Sequence, residues 1–281
     1  MNGRECGAKS NFLSYCLPRR CQGMVHSKFR QGFHLLLAGQ LVYIGCKNFL
    51  APFGIQIEQE MTETLLETLQ TGDLAIYKEG RLLLYSRTKV YQLDCTRMQE
   101  KDLRIPHFYE YRKKIPHTAI YAYLKEIDFS TCIGVPWEER TIQYVRLIAE
   151  TDKENFEKNL EIAAFFAGRG KGLTPGGDDF LLGCTLALRI YGVFPLWQRA
   201  VSQAVSEQTT TSISTAYRKA LDAGYIHEGL WNMVQLLHAE DSEAAKESIR
   251  KVQDFGHTSG NDTLFGFFTG LNFLINLEED E

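Results

Sequence analysis

The 281-residue sequence contains no run of about 18 apolar residues, the length that a helix needs to cross a membrane. No apolar stretch between Glu5 and Arg19 has the form of a signal peptide. The formal net charge is only −4, and no dense cluster of Lys and Arg indicates nucleic-acid binding. These absences predict a soluble, cytoplasmic protein whose partners include neither membranes nor nucleic acids.

The seven cysteines are odd in number and scattered, and no C-x-x-C pair is present. The sequence therefore has neither a zinc ribbon nor a thioredoxin-like motif, and reduced thiols are expected. No Ser-His-Asp or Cys-His triad can be assembled from the pattern. Nucleophilic catalysis by such a triad is thus not indicated.

Two kinds of periodicity divide the chain. Residues 1 to about 22 are expected to be irregular, and residues 23–94 carry β-type patterns. Among these, residues 74–85 are typical of a hairpin, and Met61 to Leu69 has the leucine spacing of one helix. After a Pro- and Tyr-containing bridge, the pattern is helical from about residue 137 to residue 276. We expect an α+β fold, with a β-rich N-terminal domain (1–130; a small mixed sheet or barrel) and an all-helical C-terminal domain (131–281).

The most distinctive stretch is 168–179, where five glycines, two cations, a Thr-Pro pair and two aspartates occupy twelve residues. Within it the spacing G-x-T-x-G-x-D occupies 172–178, and the same spacing recurs about 84 residues later at 256–262. Each copy leads directly into an apolar segment of helical type. Because glycine-rich loops at helix N-termini present unpaired N–H groups to anions, the duplication predicts two loop–helix units that converge on one site.

The first loop is not a nucleotide-binding motif. A P-loop requires Ser or Thr after its lysine, but Lys171 precedes Gly172, and a dinucleotide fingerprint requires glycine where Leu173 stands. An oxyanion cradle and a plain helix N-cap at Thr174 and Pro175 both remain as interpretations, and the duplication favours the cradle. The aspartates of the loops could hold a divalent cation, orient the N–H donors of a substrate amide, or only cap helices.

The candidate residues come from both loops and two other segments. His257 lies inside the second loop, and Ser214 lies in a hydroxyl-rich run that precedes Arg218, a candidate counter-charge. His26 would contribute if the domain interface brought it near. The candidate catalytic residues are His257, Asp178 and Asp179, and the candidate substrate-binding residues are Lys171, Gly172, Thr174, Gly176, Gly177, Ser214, Thr258, Ser259, Gly260, Asp262 and His26.

Two further expectations concern this site. No metal ligand is assigned and no cofactor is required, although Mg²⁺ that bridges phosphate oxygens stays open. A bulky residue at Gly177 or Gly260 is expected to abolish anion binding while folding stays nearly intact, because a Cβ would block the ligand or forbid the required φ.

The pattern G-x-G-x-G-L-T-P-x-G-D-D-F-L at 168–181 resembles a bacterial family that includes the AllH (YlbF-like) subunit of oxamate carbamoyltransferase, from anaerobic allantoin degradation. Other stretches similar to this family lie at 25–29 with 52–55, at 212–214 leading to 224–225, and at 256–260. Lys171 stands where the family often has Pro, and Gly176 where it often has Ser. The first departure could add a phosphate contact, and the second removes a hydroxyl.

The resemblance implies one subunit of a carbamoyltransferase complex that interconverts oxalurate and phosphate with oxamate and carbamoyl phosphate. It implies other subunits and a small anionic substrate as partners, and the chain is interpreted as part of an enzyme. Two alternatives stay open: a non-catalytic partner or regulatory subunit, and a metal-dependent hydrolase of amide or ureido bonds that uses Asp178, Asp179 and Asp262.

Overall fold

The computed structural model describes residues 7–46, 48–150, 155–192, 194–206 and 208–279. It confirms the predicted α+β class, with a nine-stranded sheet in the N-terminal half and helices in the C-terminal half. Within the described ranges, no helix has both the length and the apolar character needed to cross a bilayer.

Two compact units divide the described residues. The first unit runs to Arg104 and includes Tyr225–Glu228, and the second contains Ile105–Gly224 and the residues from Gly229 onward. The predicted domain boundary near residue 130 stays a prediction, because a compact unit need not be a domain that folds alone.

The sheet of the first unit is mixed and has the strand order β8-β7-β6-β2-β3-β4-β5-β1-β9. The central strand β3 pairs antiparallel with β2 and β4, whereas β4 pairs parallel with β5 and β1 pairs parallel with β9. The strands are β1 (Ala8–Ser10), β2 (Arg20–Phe29), β3 (Gly32–Leu37), β4 (Gln40–Gly45), β5 (Gly54–Gln56), β6 (Leu74–Lys78), β7 (Arg81–Tyr85), β8 (Val90–Asp94) and β9 (Gln99–Lys101).

Local sequence explains the predicted hairpin. Strands β6 and β7 pair up to Lys78 and Arg81, so only Glu79 and Gly80 form the turn, with φ values of 50° and 79°. Two positive φ angles match the right-handed twist of the flanking strands, and glycine adopts such a φ without strain. The hairpin prediction is confirmed.

The N-terminal segment differs from the expectation. Residues 1–6 lie outside the described residues, but residues 7–22 contain β1, a short helix and the start of β2 instead of irregular chain. Strand β1 is held only by partners distant in sequence, since Ala8 pairs with Gln56 on one side and Gln99 on the other. Three residues carry too little pattern to reveal such pairing.

The described part of the first unit contains the α-helices α1 (Phe12–Cys16) and α2 (Gln59–Thr68), and α2 buries Leu65. The helix α3 (Ala119–Glu126) lies in the segment that was interpreted as a Pro- and Tyr-containing bridge, so it was not predicted. The helices that follow agree with the predicted helical pattern. They are α4 (Glu139–Glu150), α5 (Phe156–Phe166), α6 (Gly176–Tyr191), α7 (Pro195–Ala204), α8 (Ser212–Asp222), α9 (Glu228–Gln235), α10 (Ser242–Gln253) and α11 (Ser259–Glu279).

Helices α6 and α11 pack backbone to backbone. A Cβ on Gly183 would lie 1.9 Å from the carbonyl oxygen of Thr263, and one on Gly266 would lie 1.9 Å from that of Phe180. Further along, a Cβ on Gly270 would lie 2.8 Å from the Cβ of Ala187. Residues later in α6 contact residues later in α11, so the two helices run parallel. Their N-termini, which follow the two glycine-rich loops, therefore lie at the same end.

Candidate functional site

The two G-x-T-x-G-x-D loops adjoin each other in the second unit. The hydroxyls of Thr174, in the first loop, and Ser259, at the start of α11, share a hydrogen bond of 2.9 Å. Gly176 lies so close to the other loop that a Cβ there would be 2.8 Å from Asp262 Oδ1. Two parallel helices thus begin side by side, and the positive ends of their dipoles add at one place.

A third segment, Gly134–Val135, contacts the second loop through the side chain of Asp262. This carboxylate is fully buried and accepts hydrogen bonds from the N–H of Gly134 (2.9 Å) and of Val135 (3.0 Å). Burial raises the pKa of Asp262, whereas these N–H groups and the Thr258 hydroxyl oppose the rise. Asp262 therefore fastens the second loop to the turn before Pro136.

Gly134 and Val135 were not identified from the sequence. The feature of the sequence that could have indicated them is the Gly-Val-Pro turn at 134–136, inside the segment interpreted as a bridge. A turn of that kind occurs in many loops, and only the fold brings it to Asp262, more than a hundred residues away.

Asp178 fastens the first loop in a similar way. Its Oδ1 accepts the N–H of Gly168 at 2.7 Å, and its Oδ2 accepts the hydroxyl of Thr210. Next to it, Thr211 donates its hydroxyl to the carbonyl of Leu173 at 2.6 Å. Both carboxylate oxygens of Asp178 thus hold loop 168–177, and its Oδ2 joins the loop to the hydroxyl-rich run.

Asp179 differs from its neighbour, because its Oδ2 is buried and has no hydrogen-bond partner among the described residues. The side chain lies in the first turn of α6 and the residue is 8% exposed. Burial raises the pKa of Asp179 well above its ordinary value, and the Asp262 and Asp178 carboxylates add to this, while the Ser259 and Thr174 hydroxyls lower it in part. An unsatisfied buried carboxyl oxygen is costly, and native proteins leave few of them.

The outer face of the loops is open to solvent. Lys171, Gly172 and His257 are exposed, and Thr258 is half-buried. Gly172 has a φ of 106°, which an L residue rarely adopts, and a Cβ there would meet only the carbonyl oxygen of Thr174 at 3.9 Å. Arg169 is held by Glu138 at 2.9 Å and lies over the Phe165 ring, whereas the exposed Lys171 has no ion-pair partner among the described residues.

Ser214 lies beside the aspartate pair. It is 4% exposed, its N–H donates to the Thr211 hydroxyl at the start of α8, and its own Oγ has no partner among the described residues. His26 lies in the first unit, on β2, where it is exposed and shares a 3.1 Å hydrogen bond with Ser27 Oγ. The β2–β3 register shifts at this position, so His26 sits in a bulge.

Gly177 and Gly260 each lie against the backbone of a neighbouring helix. A Cβ on Gly177 would lie 2.0 Å from the carbonyl oxygen of Phe166, and one on Gly260 would lie 1.9 Å from that of Val252. Both glycines are buried against neighbouring backbone, and neither has a positive φ. The expectation that bulky residues here would leave folding nearly intact is therefore wrong, because these glycines permit helix packing.

The donor set does not fit a metal held by protein ligands. Across the described ranges, no three His, Cys, Asp or Glu side chains are grouped so that they could hold a metal ion. Asp178 and Asp262, two of the three aspartates considered for this role, already accept hydrogen bonds from loop N–H and hydroxyl groups.

Comparison with known proteins confirms the resemblance. The model of the family described as oxamate carbamoyltransferase subunit AllH matches residues 166–271. The match includes both loops, all of α6 and the first part of α11. No solved structure matches the chain.

Proposed function

We propose that this chain is a subunit of a carbamoyltransferase that acts on oxamate or oxalurate and carbamoyl phosphate in purine degradation. We further propose that it binds a small anion where α6 and α11 begin. The observation that carries the proposal is the pairing of these two helix N-termini, with Thr174 and Ser259 joined at 2.9 Å and the buried Asp179 beside them. The family match over 166–271 supports the same region.

The backbone of the first loop is suited to anions. Exposed loop N–H groups near Gly172, the two helix dipoles and the ammonium of Lys171 all favour negative charge at the outer face. The aspartates oppose it only in part. Asp178 and Asp262 are compensated by N–H donors, and the raised pKa of Asp179 keeps that carboxyl protonated over a wider pH range.

The chemistry that such a site supplies is electrostatic. Transfer of a carbamoyl group between oxamate and phosphate develops negative charge on a carbonyl oxygen and on the phosphate. Preorganised N–H donors stabilise that charge, which is often the largest catalytic effect. Two small substrates held in register also need no covalent nucleophile from the protein.

Phosphate binding tests the anion site. Replacing Lys171 by Ala is expected to weaken the binding of inorganic phosphate about fivefold at low salt, since one exposed charge near the anion contributes on the order of 1 kcal/mol. Replacing Thr174 by Val is expected to weaken it as well, because the hydroxyl that joins the two loops is lost. Calorimetric titration of the full chain measures both effects.

Matched controls are available away from the site. Lys125→Ala removes an exposed lysine of α3, and Thr64→Val removes a half-buried hydroxyl of α2 that donates to the Glu60 carbonyl. Both should bind phosphate as the parent does. If Lys171→Ala and Thr174→Val are indistinguishable from these controls, the anion does not bind at the paired helix N-termini.

Turnover tests the subunit role. The isolated chain is expected to show little or no carbamoyl transfer from carbamoyl phosphate to oxamate, because the matched family is one subunit of its enzyme. The specific activity of the purified chain is compared with that of the chain mixed with its partner subunits. Full activity of the chain alone would contradict the proposal.

A further inference from the structure

A row of three positive side chains crosses neighbouring strands of the sheet in the first unit. The register places Arg20 of β2 opposite Lys78 of β6, and Lys78 opposite Arg81 of β7. All three side chains are exposed. The chain as a whole has a formal net charge of −4, so this cationic row (Arg20, Lys78 and Arg81) is a local reversal of its charge.

The cationic row is only partly neutralised within the sheet. Asp94 of β8 lies opposite Arg81, and its carboxylate also accepts hydrogen bonds from the N–H (3.1 Å) and the hydroxyl of Thr96. Among the described residues, no cation of the row forms an ion pair, and neither does Glu79 in the turn between β6 and β7. Because like charges directly opposite each other destabilise a sheet, the row reduces the stability of the fold.

Protection of a sheet edge does not explain the row. Charged side chains often prevent an edge strand from pairing with another chain. In the strand order, however, β8 is at the edge and carries the acidic Asp94, whereas β2, β6 and β7 are interior strands. Solubility would be served as well by mixed charges, which would not repel one another. The three like charges therefore need another reason.

Exposed apolar side chains lie on the same face of these strands. Residues four apart on a strand point to the same face, so Met24 shares the face of Arg20, and Leu74 shares that of Lys78. Met24 and Leu74 are opposite each other and are 49% and 43% exposed, and Val90, at the corresponding position of β8, is 51% exposed. Four residues of strand separate this apolar patch (Met24, Leu74 and Val90) from the charged row by about 13 Å.

The area of this face suits one segment of another chain rather than a broad interface. Strands β8, β7, β6 and β2 are adjacent, so they span about 14 Å at the usual spacing of about 4.8 Å. An α-helix is about 10–12 Å across, whereas a standard interface buries about 800 Å² on each partner. A single helix or a pair of strands is therefore enough to cover the cationic row and the apolar patch.

We infer that this face binds one acidic segment of a partner subunit, an inference that rests on the proposed role of the chain as a subunit. Carboxylates of the segment lie against the cationic row, and its apolar side chains, about 13 Å away, lie on the apolar patch. The opposite charge offsets the repulsion within the row, and contact with the patch removes apolar surface from water. Arg and Met are both more frequent in protein interfaces than on other surfaces.

Other polyanions match the face less well. A nucleic acid would use the cations alone, and one row of three cations contacts few phosphates. A lipid surface is bound stably when charge is combined with a large apolar face. The apolar patch consists of three side chains that are each only about half exposed. A protein segment can carry acidic and apolar side chains at the spacing of the two groups.

Charge reversal at Lys78, the middle of the row, separates binding from folding. Lys78→Glu places a carboxylate opposite Arg20 and Arg81, so it should raise the midpoint of thermal unfolding. The same variant should bind the separately purified partner subunits about tenfold more weakly at low salt. The difference should shrink at high salt, because salt screens exposed charges. Sedimentation velocity of the mixed subunits measures assembly.

Matched variants control for net charge and for lost apolar surface. Lys125→Glu makes the same charge change on the exposed side of α3, and it should assemble as the parent does. Met24→Ser should weaken assembly about fivefold, since part of the apolar contact is lost. Met61→Ser changes a methionine of α2 that is 42% exposed, and it should have no such effect. All four variants should bind phosphate as the parent does.

The outcomes separate this inference from the proposed function. If Lys78→Glu and Met24→Ser assemble as their controls do, the assignment of the face is overturned and the subunit role stands. If the parent does not assemble with the partner subunits, both fail, and phosphate titration still tests the anion site alone. Binding of the parent to phosphatidylserine vesicles or duplex DNA that Lys78→Glu abolishes, with assembly unchanged, also overturns the assignment. Weaker assembly together with a higher unfolding midpoint supports it.

Discussion

Replacing Asp179 by Asn is expected to stabilise the protein at neutral pH by about 1–3 kcal/mol, the usual cost of a buried unsatisfied group. The reason is that Asn carries no charge, whereas an ionised Asp179 leaves a charged Oδ2 buried without a hydrogen-bond partner among the described residues. The same replacement at Asp178, the next residue along α6, is expected to destabilise the protein by about 1–2 kcal/mol. There both oxygens accept hydrogen bonds, and Asn offers only one acceptor to Gly168 and Thr210.

The gain at Asp179 depends on pH with a definite sign. Burial holds the pKa of this carboxyl well above its ordinary value in the folded protein, whereas in the unfolded chain it ionises near pH 4. The folded state therefore loses stability as the pH rises above about 4, until the folded-state pKa is passed. Asn does not ionise, so Asp179→Asn removes this loss.

Urea unfolding of the parent, Asp179→Asn and Asp178→Asn at pH 4, 5.5 and 7 measures the effect. The difference between Asp179→Asn and the parent should grow from pH 4 to pH 7. A gain that is as large at pH 4 as at pH 7 would show that ionisation of Asp179 is not its cause. Oxamate binding should fall in this stabilised variant, as expected for a residue retained for function at the expense of stability.

Alanine at Gly266 is expected to prevent normal folding, or to cost at least about 3 kcal/mol, although it adds only one methyl group. The new Cβ would lie 1.9 Å from the carbonyl oxygen of Phe180, and backbone cannot move aside as a flexible side chain can. Alanine at Gly183 meets the Thr263 carbonyl oxygen at the same distance, so the same loss is expected. Circular dichroism and thermal unfolding of the purified variants measure it.

Gly270 provides a graded control on the same helix pair. Its added Cβ would lie 2.8 Å from the Ala187 Cβ and 2.9 Å from the Cys184 carbonyl oxygen, so the helices need to separate less. A smaller loss, of about 1–2 kcal/mol, is expected there. If Gly266→Ala is no less stable than Gly270→Ala, the close backbone contact does not limit the packing of α6 and α11.

Much of the fold could be predicted because its patterns are local. Glycine placement explains the hairpin turn at Glu79 and Gly80. Apolar spacing explains helices α6 and α11. The duplicated G-x-T-x-G-x-D spacing also predicted that the two loops would adjoin, as the contact of Thr174 with Ser259 now shows. What they bind stays a proposal.

Other features depend on contacts between residues that are distant in the sequence, which no local pattern predicts. Strand β1 exists because Gln56 and Gln99 pair with it, and Gly134 matters because the fold brings it to Asp262. Density of glycine predicted ligand contact, but Gly177 and Gly260 pack against backbone carbonyls. Sequence alone does not distinguish a glycine that admits a ligand from one that admits a helix.

The glycine contact between α6 and α11 also affects which amino-acid substitutions this protein can tolerate. Backbone atoms, rather than side chains, set the spacing of the two helices at Gly183 and Gly266. Substitutions elsewhere on either helix can alter volume and shape without moving one N-terminus relative to the other. The relative position of the two N-termini, where we propose that the anion binds, therefore depends most on a few positions that have no side chain.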